Sequence, residues 1–193
     1  MEREIKIQKL KEKLYACDNC TLCNQVKNKV FGEGKLDSPI ILVGEAPGKN
    51  EDEQGRPFVG YAGKLLDELL IKNGLTREKI FITNIIRCRP PKNRKPKENE
   101  VEACSSHLDE LMNIIQPKVI APMGNSAIRY FLKKINQEQK VIGEIHGKKL
   151  SFNLSYGEII LFPLYHPAAA IYNRKLLVSL EEDFAKMVKI LRV

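Results

Sequence analysis

No stretch of roughly 18 or more apolar residues occurs in this chain, so no segment is expected to cross a bilayer as a helix. The first six residues, Met1-Glu2-Arg3-Glu4-Ile5-Lys6, are charged and lack the apolar core and cleavage site of a secretory signal. The expected compartment is therefore the cytosol. Neither G-x-G-x-x-G nor the spacing of a phosphate loop before Gly-Lys-Ser/Thr is present, which removes the common nucleotide-binding loops. Internal repeats and low-complexity tracts are absent as well. The 193 residues suit one domain, spanning 1–193, with a full hydrophobic core. Histidine is scarce, with three in the chain, so each one's place matters.

Cysteine, by contrast, is plentiful for a cytosolic protein, with five residues. Thiols stay reduced in that compartment, so metal binding is expected over disulfides. Cys17-x2-Cys20 has ligand spacing, since a two-residue gap lets both sulfurs turn toward one ion or cluster. Cys88 and Cys104 are too far apart for a local knuckle and must be brought in by folding. Cys23 repeats the interval of the first pair.

The net charge of +8 is compatible with a polyanionic partner, though a lysine-rich surface explains it equally well. A local cluster tilts the balance toward the partner. Arg87, Arg89, Lys92, Arg94, Lys95 and Lys97 fall among Pro90, Pro91 and Pro96, which predicts an exposed, rigid, basic loop beside Cys88. The abundance of Lys, Glu and Ile suits a thermophile.

Periodicity predicts a helix over 4–15, strands at 39–43, 80–86 and 119–122, and helices over 62–73, 98–115 and from Gly124 to about 132. A pair of shorter strands at 148–152 and 158–162 and a closing helix at 175–191 complete the pattern. Alternating strands and helices imply a mostly parallel sheet covered on both faces, a three-layer α/β/α sandwich. Functional residues of such sheets gather at the carboxyl ends of strands. Segments 44–48, 83–89 and 163–170 meet that description.

Within them, Gly44-Glu45-Ala46-Pro47-Gly48 is either a plain strand-to-helix turn or a site loop. Glu45 at the mouth of the sheet, followed by Glu51, favours the second. Phe58, in the glycine-flanked Gly55-Arg56-Pro57-Phe58-Val59-Gly60, is either a core residue or a stacking platform for a planar base. Asn84 lies inside an otherwise apolar strand, where a carboxamide is either a satisfied structural group or reads a base edge. His166, unlike His107 and His146, follows a strand and precedes Pro167, beside a helix start. There it is either an idle loop residue or a hydrogen-bond donor to a developing anion.

Together with Phe31-Gly32-Glu33-Gly34, Cys88-Arg89-Pro90-Pro91, Cys104 and His166-Pro167-Ala168, these segments occur in an order and spacing that resembles the family 4 uracil-DNA glycosylases, iron–sulfur enzymes of thermophilic bacteria and archaea. The resemblance covers about residues 15–175. It implies a uracil-DNA glycosylase that flips uracil out of DNA, hydrolyses its N-glycosidic bond and starts base excision repair, acting as a monomer. A sliding-clamp contact stays open. It implies a structural 4Fe–4S cluster on Cys17, Cys20, Cys88 and Cys104, without Cys23. By the same matching, Phe58 stacks on uracil, Asn84 reads its amide edge and His166 meets O2. Gly44, Glu45, Ala46 and Glu51 belong to the pocket. Ala46 stands where family 1 enzymes have a water-activating aspartate, so the general base is Glu45 first and Glu51 second. Arg89, Arg94 and Lys95 are expected on DNA phosphates, with Ile171 wedging into the vacated stack. Pro91-Lys92-Asn93-Arg94-Lys95 differs from the Lys-Arg-Arg-Ile-His loop of a DNA-crosslinking branch, so turnover is expected. Two rival readings use the same cysteines: a zinc-ribbon nucleic-acid-binding protein and an iron–sulfur electron carrier.

Overall fold

The structure is a computed structural model, and residues 1–191 are described here. In chain order the elements are α1 (Glu2–Tyr15), β1 (Glu33–Gly34), β2 (Ile40–Gly44), α2 (Lys49–Gln54), α3 (Tyr61–Lys72), β3 (Phe81–Asn84), α4 (Glu98–Ile115), β4 (Val119–Pro122), α5 (Asn125–Lys134), α6 (Ile142–Ile145), β5 (Leu150–Leu154), β6 (Gly157–Leu161), α7 (Pro167–Ala170) and α8 (Arg174–Ile190). The strands form one sheet in the order β1-β3-β2-β4-β6-β5. Its four central strands are parallel, and the two edge strands run antiparallel.

β2 shows why the central strands read as unbroken apolar runs. Ile41 and Val43 pack on one face with Leu108, Leu111 and Met112 of α4 and Phe131 of α5. Ile40 and Leu42 pack on the other with Leu66, Leu69 and Leu70 of α3 and Leu180 and Phe184 of α8. Alternate side chains of a strand point to opposite faces, so a sheet covered twice needs apolar residues at every position. The expected three-layer sandwich is what the chain forms. From β2 the chain passes through α3 to β3 on one side, and from β3 through α4 to β4 on the other. That reversal opens a crevice at the carboxyl ends of the central strands.

The expected strand at 80–86 is shorter, ending at Asn84. Ile85 and Ile86 stay buried, but their N–H groups turn to the carbonyls of Gly44 and Glu45 and steer the chain across the top of the sheet. No helix among the described residues is long and apolar enough to cross a membrane.

Candidate active site and cysteine cluster

A cavity of about 510 Å³ opens at this crevice, walled by Glu45, Ala46, Glu51, Phe58, Asn84 and His166 among others. Its volume is in the range of small-molecule sites. Gly44, not itself in the lining, lies against two residues that are, Asn84 and Phe58. Gly44 pairs with Asn84 across the sheet, and a Cβ on it would lie 2.4 Å from Asn84 Oδ1 and 2.6 Å from the Phe58 ring. Any side chain there would fill the space where the ring and the carboxamide converge.

Asn84 is 2% exposed, and its carboxamide has no hydrogen-bond partner among the described residues. Buried amides are normally paired, so this one faces the cavity free to bind. Phe58 is buried and stacks on His166, with ring centroids 5.6 Å apart and planes at 29°. Its φ is +53°, a left-handed conformation that a bulky residue adopts only when its surroundings impose it. The surroundings are visible. The Arg77 guanidinium donates to the carbonyls of Pro57 (2.9 Å) and Phe58 (2.5 Å), and is itself held by Glu33 and Asp67 at 2.7 and 2.6 Å. Gly63 lets α3 approach the Phe58 carbonyl, since a Cβ there would clash with it. Burial alone would raise the Glu33 carboxyl, but hydrogen bonds from Arg56 and Arg77 outweigh it and hold Glu33 below the usual range.

His166 caps α7 by accepting the Ala168 N–H at Nδ1, 3.1 Å away. An accepting Nδ1 leaves the imidazole proton on Nε2. Burial lowers the ring from the ordinary 6.5 to about 4, with the Glu51 charge acting weakly in the opposite sense. At neutral pH the group is therefore an uncharged donor. Glu45 is half-buried in the wall, with its carbonyl taken by Ile86 N–H. Glu51 differs in kind, because its carboxylate accepts from Gly48, Val59 and Gly60 N–H at 3.0, 2.8 and 3.0 Å. It clasps the starts of α2 and α3 around the Phe58 loop. Three backbone N–H groups thus hold Glu51 in a structural role, whereas no hydrogen bond engages the Glu45 carboxylate among the described residues.

The basic loop needs two corrections. Arg87 is not part of an exposed surface; it is 1% exposed and sits beneath the loop. Arg94 lines the cavity but forks onto the buried Glu100 at 2.8 and 2.6 Å, pinning the loop to the start of α4. Arg89 is braced by Asn93, 2.7 Å away, and Lys95 remains exposed at the cavity rim. Ile171 is 37% exposed just past α7, whereas the adjacent Tyr172 is 92% exposed.

All five cysteines line one small cavity behind the sheet, together with Arg87 and Lys29. Cys23, left out of the expected ligand set, has its Sγ 3.9 Å from Cys20 Sγ and 4.0 Å from Cys88 Sγ. Its place after Cys20 in a short 3-10 turn (Thr21–Asn24) swings it inward. Burial first, then neighbouring thiols, push Cys17 and Cys88 upward; burial pushes Cys104 up against the opposing charge of Arg87. No three His, Cys, Asp or Glu among the described residues converge on one point as a single ion would need. A soft, all-sulfur donor set spread round a cavity, beside an arginine with two unpaired buried nitrogens, suits an anionic iron–sulfur group.

Sequence reasoning did not find the Arg77–Glu33–Asp67 brace, and no local pattern announces it. The glycine-rich run around Phe58 was the one signal that the backbone there is unusual.

Fold and cavity place the chain among α/β/α proteins with an open crevice at the switch point of a parallel sheet. Sequence comparison gives the family. Residues 31–192 match the Uracil DNA glycosylase superfamily. The chain is 46% identical over 182 residues to the type-4 uracil-DNA glycosylase of Sulfurisphaera tokodaii, covering 94% of this chain and 83% of that one. It is 39% identical to the type-4 enzymes of Archaeoglobus fulgidus, over 90% of this chain and 87% of the relative, and of Thermotoga maritima, over 89% and 86%. It belongs to the type-4 uracil-DNA glycosylases.

Proposed function

We propose that this protein is a monofunctional uracil-DNA glycosylase, a hydrolase that removes uracil from DNA and so begins base excision repair. The observation that carries the reading is the unpaired Asn84 carboxamide facing the Phe58 ring across Gly44, with the His166 donor beside both. A planar ring slotted against Phe58 meets an acceptor and two donors at Asn84, matching the N3–H and O4 of uracil. Cytosine reverses that pattern and would leave the buried amide mismatched, at a cost of about 1–3 kcal/mol per group. The target nucleotide must leave the duplex to reach so recessed a pocket.

As the glycosidic bond breaks, negative charge grows on uracil O2 and positive character on the sugar. His166 Nε2–H is preorganised to donate to that oxygen and strengthens its bond as charge develops. Being neutral, it gives up no charge stabilisation to the ground state. Glu45 orients the water and takes its proton. Lys95 and Arg89 hold phosphates, while Arg94 acts through the loop it anchors. Ile171, with Tyr172 beside it, fills the vacated stack.

Cys17, Cys20, Cys88 and Cys104 would hold a 4Fe–4S cluster, clipping the segment after α1 to the β3–α4 connection. When bound, the cluster supplies a cross-link rather than redox chemistry to the reaction. The enzyme works as a single domain and a monomer in the cytosol. The multi-residue ion-pair brace behind Phe58 suits a thermophile.

Release of free uracil from a uracil-containing oligonucleotide, with none from the matching cytosine oligonucleotide, tests the reading. Duplex binding without uracil release would instead support a non-enzymatic DNA-binding role.

A further inference from the structure

We infer that Arg87 is the buried cationic partner of the iron–sulfur cluster and the link through which the cluster holds Asn84 in place; the inference rests on the cluster reading above.

Arg87 belongs by sequence with the basic loop, yet it is among the largest fully buried side chains of the protein. Its guanidinium is used on one side only. Nη1 donates to Thr83 Oγ1, to the Phe31 carbonyl at 3.2 Å and to the Asn84 carbonyl at 3.1 Å. All three acceptors belong to the end of β3 or the segment packed on it. Nε and Nη2 are buried without any partner. No carboxylate among the described residues pairs with this cation. Glu100, which lines the same cavity, has its oxygens engaged by Arg94 and the Lys97 N–H. An uncompensated buried charge is costly against the marginal stability of a domain.

Arg87 lines the cysteine cavity. His107 lies one helical turn beyond Cys104 on α4, is 2% exposed, and has both ring nitrogens unpartnered. Arg87 and His107 thus carry four of the five unpartnered buried side-chain atoms among the described residues. The unmet Nε–H and Nη2–H donors of Arg87, which lines the cavity with five thiols, call for acceptors there. A cluster held by thiolates is anionic and offers sulfur acceptors, and hydrogen bonds to its sulfurs are known levers on such groups.

The arrangement puts one rigid, planar group between the cluster and the backbone carbonyl of the base-reading residue. With the cluster in place, the guanidinium is neutralised on one side and fixes Thr83 and Asn84 on the other. Without it, the same cation is drawn toward water and takes its hold on β3 with it. Cluster occupancy then reaches the pocket through Arg87, although no cysteine touches the pocket.

The test uses the full-length, cluster-loaded protein with Arg87→Gln and Arg87→Lys. Iron and sulfide analysis comes first; absence of both from the wild-type protein overturns the cluster reading itself. With the cluster present, Arg87→Gln should release iron to a chelator about 10–100-fold faster, the usual effect of losing an outer-shell partner. Its midpoint potential should fall, because removing a cation disfavours adding an electron to an anion. Binding of free uracil, followed by NMR, should weaken in parallel, and Arg87→Lys should restore most of all three. A folded Arg87→Gln with wild-type potential, iron release and uracil binding would overturn the inference and leave the glycosylase reading standing. Should Arg87→Gln not fold, a crystal structure of the loaded wild-type protein decides. Nε or Nη2 within hydrogen-bond reach of a cluster or thiolate sulfur supports the link, and their absence from that reach refutes it.

Discussion

Acid titration of His166 probes the proposed chemistry most directly. The ring is lowered from 6.5 to about 4 by burial, a gap worth about 3 kcal/mol, trimmed by the part of the ring open to the cavity. The sign follows from which state takes up the proton first. The folded value lies below the unfolded one, so as pH falls the unfolded chain is protonated earlier. The contribution is complete above about 6.5, is lost as pH falls toward about 4, and changes no further below that; about 2 kcal/mol is gone by about pH 5. Urea unfolding of the wild-type protein and His166→Asn, each measured near pH 7 and near pH 5, isolates this part, because other titrating groups cancel in the difference. The wild-type protein should lose about 2 kcal/mol more than the variant. Long-range proton–nitrogen NMR of the imidazole at neutral pH should also find the proton on Nε2 and a bare Nδ1, as the Ala168 N–H requires. A midpoint near 6.5, a proton on Nδ1, or parallel pH–stability curves would refute the argument that His166 is a preorganised neutral donor.

Asn84→Asp should slow uracil excision and relax discrimination against cytosine, measured as single-turnover rates on uracil and cytosine duplexes; unchanged discrimination would return Asn84 to a structural role. Phe58→Ala should weaken uracil binding by about 1–3 kcal/mol in a folded protein, read by titration with uracil-containing DNA. Cys88→Ser should lower iron content and thermal stability together, whereas Cys23→Ser should keep iron near the wild-type level; iron loss in the Cys23 variant would mean that it is a ligand. Lys95→Ala should reduce the salt dependence of DNA affinity by about one phosphate contact. Arg94→Ala should instead lower folding stability, read by thermal unfolding, by stripping the buried Glu100 of its partner.

Much of the fold was legible in the chain because helices and strands write their periods locally. The helix at 98–115 and the strand at 119–122 were read to the residue, and the positions of Gly44 and His166 beyond apolar strands followed from the same pattern, whereas Asn84 was read inside a strand that the fold ends at it. The fold then gathered those positions, together with Phe58, round one cavity. What tertiary structure alone decided is which way charged and sulfur-bearing side chains turn. Arg87 and Arg89 are two residues apart in one basic run, yet one is sealed beneath the sheet's end and the other lies partly open on the loop. Glu45 and Glu51 look alike as candidate bases until three backbone N–H groups claim Glu51. Cys23 meets Cys88 across 65 residues of sequence, and Arg77 reaches Glu33 across 44. Contacts of that range leave no periodic trace, because they are fixed by where the sheet places its strand ends and by which buried charges must find partners there.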